Sequence, residues 1–187
     1  MAGSDLGALF SINTFIKLGE VLQIAAASEF VPGSATSGLV IPVRRKLRIT
    51  GYIAGYSGNS IARLRVGTVG AAPDTTAANY GAAAMEDNAA KVTNLGAVAG
   101  INLASIADTD RRGFDVSIVN EGGRVKYFMV QGTHSPAEAT GTALVMFVGS
   151  GIYTIAGQAP INCVQLWSGT AATTLSIGTH FEVWGAD

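Results

Sequence analysis

The chain is predicted to be all-β, with residues 41–187 forming an antiparallel β-sandwich of jelly-roll type behind an extended N-terminal arm over residues 1–40, and with at most one short helix. Three observations predict this. Apolar residues recur mainly with period two, the pattern of a strand that turns one face inward. The 187 residues include 24 glycines, which cut the chain into strand-sized pieces. No repeat of fixed period is present, which excludes a solenoid or a propeller.

Residues 1–40 show little clear alternation, and Ser34-Ala35-Thr36-Ser37-Gly38 after Pro32-Gly33 has the composition of a flexible link. The segment carries Leu6, Leu9, Phe10, Ile12, Phe15, Ile16 and Leu18. It is too apolar to hang in water, so it should lie on the body or on a neighbouring subunit; an ordinary N-terminal strand pair is the alternative. Val21–Ala27 and Leu39–Val43 are possible early strands. Leu47, Ile49, Gly51 and Ile53 alternate with polar neighbours, as do Ala62, Leu64 and Val66 with Arg63 and Arg65. Gly55-Tyr56-Ser57-Gly58-Asn59-Ser60 separates the two runs, so Lys46–Val69 reads as a β-hairpin. Thr76–Glu86 is rich in alanine and follows the capping candidates Asp74 and Thr75, which makes it the single helical or ordered-loop candidate, interrupted by Gly81. Further strands are expected at Phe114–Val119, Arg124–Gly132, Gly141–Val148, Ile161–Trp167, Thr173–Ile177 and His180–Trp184, with Glu121-Gly122-Gly123 turning between the first two.

Composition narrows the function. Hydrophobic residues make up 48 % and charged residues 13 %, with a net charge of −1; typical soluble domains carry roughly 25 % charge. Disorder is excluded as the general state, and so is a counterion-releasing nucleic-acid binder, which needs an excess of Lys and Arg. Ala139–Phe181 holds no Asp, Glu, Lys or Arg, but Gly141, Gly149, Gly151, Gly157 and Pro160 break it into pieces too short for a membrane helix. The start of the sequence has no charged region followed by an apolar core, so no secretory signal is expected. A lone Cys163 makes no internal disulfide.

Motifs of nucleophile elbows, phosphate loops and metal sites are absent from the sequence, so no catalytic residue, no metal ligand and no cofactor are expected. His134 and His180 are isolated in sequence; His134 reads as a solvated loop residue and His180 as a structural turn residue. Asp108, Asp110 and Asp115 beside Arg111 and Arg112 read as a salt-bridged turn, short of a calcium loop. The densest charge feature is Arg44, Arg45, Lys46 and Arg48, facing Arg63 and Arg65 across the expected hairpin. Like charges on adjacent strands repel unless paired. Acidic groups of a neighbouring subunit could answer them; an anionic glycan or nucleic acid, or a plain solvated face, are the alternatives. Tyr56, Trp167 and Trp184 are the candidates for a sugar-stacking platform, against the simpler reading that strand-end aromatics plug the core.

The runs Gly51-Tyr52-Ile53-Ala54-Gly55-Tyr56, Ala62-Arg63-Leu64-Arg65-Val66-Gly67 and Thr75-Thr76-Ala77-Ala78-Asn79-Tyr80 are similar to small β-sandwich virion proteins of tailed bacteriophages. So is the ending, Trp167, then Thr173-Thr174-Leu175-Ser176-Ile177, then Phe181-Glu182-Val183-Trp184-Gly185. The resemblance covers about Lys46–Asp187. It implies a jelly-roll homo-oligomer, commonly a trimer, made in the host cytoplasm and placed on the virion, where it decorates or cements the capsid against the major capsid protein or another virion protein. The alternative it leaves open is a head- or tail-fibre module binding host glycans. Nucleic acid and membrane are not expected partners. The interface candidates are Leu9, Phe10, Phe15, Ile16, Arg44, Arg45, Arg48, Arg63 and Arg65.

Overall fold

A computed structural model describes residues 14–23, 25–26, 29–30, 38–86, 93–97, 99–103, 111–135 and 145–187. Among these residues thirteen strands follow one another: β1 (Ile16–Leu22), β2 (Glu29–Phe30), β3 (Leu39–Val40), β4 (Lys46–Ile53), β5 (Arg63–Gly67), β6 (Tyr80–Glu86), β7 (Thr93–Ala97), β8 (Ile101–Asn102), β9 (Arg111–Val119), β10 (Lys126–Ser135), β11 (Val145–Tyr153), β12 (Cys163–Trp167) and β13 (His180–Ala186). They build an eight-stranded sheet, β1-β13-β4-β9-β10-β11-β6-β7, and a smaller sheet, β2-β12-β5-β8, with β3 also on β12. All pairings are antiparallel. The two sheets form a sandwich, as the alternation predicts. Leu47, Ile49, Val116, Phe128 and Val183 of the large sheet meet Leu64, Val66, Ile101, Val164 and Leu166 of the small one in a single buried cluster.

Four expectations are corrected. Lys46–Ile53 and Arg63–Gly67 are strands, but they do not pair as a hairpin: β4 lies between β13 and β9, and β5 between β12 and β8. The turn-forming residues between them instead carry the chain from one sheet to the other. They are held by Ser57 N donating to Thr174 O at 3.0 Å, Ser176 N to Gly55 O at 3.0 Å and a Tyr56–Leu175 bridge. The strand expected at Thr173–Ile177 is reduced to that bridge.

The alanine-rich stretch is not a helix. After a short 3₁₀ turn, Ala77–Asn79, it becomes β6 between β11 and β7. Helix propensity is a weak prior, and here packing decides otherwise. Ala82 pairs with Gly151, and a Cβ placed on Gly151 would sit 2.6 Å from the Ile101 side chain of the opposite sheet. The small residues are there to let the sheets approach.

Within the segment expected as an arm, Ile16–Leu22 forms β1 and pairs along β13, while Glu29–Phe30 and Leu39–Val40 pair with β12. Leu6, Leu9, Phe10 and Ile12 lie outside the described residues, as do Asp108 and Asp110. The backbone of His134 continues β10 opposite Arg112 and Val145, so this residue is in a strand and not in a turn. The Glu121-Gly122-Gly123 turn forms as expected, with Gly123 at φ 71°. Its closing lock is the buried Lys126, whose ammonium donates to the carbonyls of Glu121, Arg124 and Gln158 at 2.5, 2.6 and 3.0 Å.

Candidate interaction face

The outward side chains of the large sheet fall into rows, because residues opposite one another in register share a face. One row runs Lys46, Val119, Tyr127, Ile152, Gly81. The next runs Arg48, Ser117, Met129, Ser150, Ala83, and the third Thr50, Asp115, Gln131, Val148, Met85. A fourth holds Tyr52, Gly113, Thr133 and Met146.

These rows divide sharply. On the β1-β13-β4-β9 side lie Lys17, Glu20, Glu182, Lys46, Arg48 and Asp115. On β10, β11 and β6 no outward residue of the four rows carries a charge. Val119, Tyr127, Met129, Met146, Val148, Ile152 and Met85 are instead 42 to 71 % exposed. The chain has four methionines, and every one after Met1 is on this face. Contiguous exposed apolar surface of this kind marks an interaction site, and methionine adapts its shape to whatever covers it. Beside Met146 the small residues Gly113 and Thr133 leave a shallow hollow of about 310 Å³, also lined by Asp115, Gln131 and Val148.

The charged side is paired within the chain. Arg48 Nε donates to both Asp115 oxygens at 3.1 and 3.0 Å. Arg44 meets Asp187 at 2.9 Å, Arg45 meets Glu121 at 2.7 Å and Lys17 meets Glu182 at 2.8 Å. The hydrogen bond from Arg45 holds the Glu121 carboxyl below the usual range, and that from Lys17 does the same for Glu182. Exposed pairs of this kind add little stability. Their consequence is that Arg44, Arg45 and Arg48 are answered by acids of their own chain and not by those of a neighbouring subunit, the source expected from the sequence.

Arg63 and Arg65 do not face that group either, since they sit on the outer side of the small sheet. Arg65 is buried with its guanidinium 3.6 Å from the Trp167 ring centre, and that of Arg63 is 5.3 Å away. Arg63 Nε donates to Asn102 Oδ1 at 2.9 Å, and burial followed by the nearby Arg65 charge lowers its pKa. The cation–π contact with Arg65 occupies one face of the Trp167 ring. Trp184 is half-buried on β13 in the other sheet, and Tyr56 is buried, so the three aromatic candidates do not converge. Phe15 and Ile16 are partly exposed at the β1 edge. His180 opens β13 with its ring 6.0 Å from that of Tyr52.

Sequence reasoning missed the apolar face. Its signal was present: Tyr127–Val130 and Val145–Val148 are apolar without alternation, which is how strands covered on both sides read. Among the described residues there is no group of three or more His, Cys, Asp or Glu placed to hold a metal, and no helix long and apolar enough to cross a membrane. Compared with known proteins, the chain matches no family model, no curated protein and no solved structure.

Proposed function

We propose that the chain is a non-enzymatic structural subunit of a bacteriophage virion, a decoration or cement protein that stabilises the capsid through contacts with copies of itself and with the major capsid protein or another virion protein. The observation that carries this reading is the uncharged, methionine-rich outer face of β10, β11 and β6. Its residues are left in water by the single chain, while the charges beside it are satisfied internally. Burial is the work such a face is suited to, at about 25 cal/mol per Å² of apolar surface. A modest contact repeated over a lattice becomes a large total by avidity. The resemblance to small β-sandwich virion proteins supplies the setting.

The test is the protein content of purified virions of the phage that encodes the chain. Mass spectrometry should find it in a fixed ratio to the major capsid protein, and particles lacking it should rupture at lower temperature. Its absence from purified particles overturns the reading.

A further inference from the structure

We infer that the uncharged face is covered by the same face of a second copy, across a two-fold axis lying between the two sheets and running across the strands. This inference rests on the assembly reading above and adds its partner. Charge selects the class of occupant: with no ionised side chain among the outward residues that β10, β11 and β6 contribute to the four rows, the face offers nothing to a phosphate backbone, an anionic membrane or a charged peptide. A ring of heterologous contacts needs a second apolar patch elsewhere on the chain. Among the described residues the other exposed large apolar side chains, such as Val69, Val40 and Ile177, are scattered over turns and edges.

The face is also its own complement in shape. Tyr127, 62 % exposed, projects from the first row, and the hollow at Gly113 and Thr133 lies at the fourth. An axis across the strands between Met129 and Gln131 exchanges first and fourth rows, so each Tyr127 enters the other copy's hollow and both Met129 side chains lie close to the axis. Sheets stacked face to face in this way pack about 10 Å apart. Size sets the strength. Four strands at ~4.8 Å spacing and about seven residues at ~3.4 Å each give roughly 450 Å² per copy before side-chain relief. That is near the floor for a stable pair, so the dissociation constant lies nearer micromolar than nanomolar.

Sedimentation of the full chain over a concentration series tests this. The expected result is a reversible change from the 19.1 kDa monomer to twice that mass. Met129→Glu and Met129→Lys, each placing an unpaired charge at the axis, should weaken pairing by about a hundredfold. An equimolar mixture of the two variants should recover pairing to within about tenfold of the parent, because only a self-facing contact brings the two copies' positions 129 close together across the axis. Position 129 is 71 % exposed in the single chain, so both variants should keep the parent's circular dichroism and melting temperature. A monomer at all concentrations, a trimer indifferent to the charges, or variants that fail to recover on mixing each overturn the two-fold pairing. None of these outcomes touches the assembly reading, which stands or falls on the virion measurement.

Discussion

Asp74 shows how one side chain outside any strand ties a loop to the large sheet. Its carboxylate accepts hydrogen bonds from Thr76 N at 2.8 Å, Asn79 Nδ2 at 2.6 Å and Tyr153 OH at 3.0 Å, while its carbonyl accepts from Tyr80 OH at 2.8 Å. Burial pushes the Asp74 pKa up, but the bonds from Asn79, Thr76 and Tyr153 together outweigh it, and the net shift is downward. A carboxyl with a depressed folded pKa binds fewer protons when folded. Its stabilisation is therefore complete above the ordinary Asp pKa of about 3.9 and is lost as pH falls through the lower folded value. Asp74→Asn should cost about 1–3 kcal/mol at neutral pH, and in urea titrations the variant should lose less stability than the parent below about pH 4. Lys126→Met leaves three carbonyls without their donor and should destabilise by a similar ~1–3 kcal/mol in thermal melts. Cys163 is buried with its thiol pushed up to about 11, so alkylation at pH 8 should be slow in the folded chain and fast in denaturant. None of these roles was legible in the sequence. Asp74 reads there as a helix cap and Lys126 as one residue of the strand Arg124–Gly132, because the sequence does not show that Tyr153 and Gln158, distant in the chain, complete their hydrogen bonds.

Elements were legible where one strand face is polar and the other apolar, as in β4, β9 and β13, and where glycine marks a turn, as at Gly123. Pairing was not. A turn-rich connection between two alternating runs has the composition of a hairpin whether it closes one or crosses between sheets, and only the residues that meet it, Thr174 and Ser176, decide. The alanines of β6 misled for a related reason: small side chains serve helices by propensity and sandwiches by letting the opposite sheet approach. The same principle governs two glycines under aromatic rings. A Cβ on Gly51 would lie within 2.8 Å of the Phe114 ring, which pairs across from it, and one on Gly132 would meet the Phe147 ring and Gly113 O. Gly132→Ala should therefore destabilise by about 1–3 kcal/mol through overpacking. Gly122→Ala, at an exposed turn position with Pro160 no nearer than 3.6 Å, should stay within about 0.5 kcal/mol on the same denaturation curve.

At the scale of the whole molecule, the low charge seen in the sequence has a location. It is concentrated on the outer face of three adjacent strands, while Lys17, Arg48, Asp115 and Glu182 of that sheet are paired inside the chain. Composition reveals such an asymmetry only as an average; register places it. Since the face carries no charge, its association should not weaken when ionic strength is raised about tenfold, and salts excluded from protein surfaces should strengthen it. The most direct measurement is the response of the Met85, Met129 and Met146 ε-methyl signals to a soluble paramagnetic agent in methyl-labelled protein. The account predicts that all three are broadened in dilute monomer and shielded together as the concentration rises or the protein joins a particle. Signals that stay equally open to the agent in every state would contradict it.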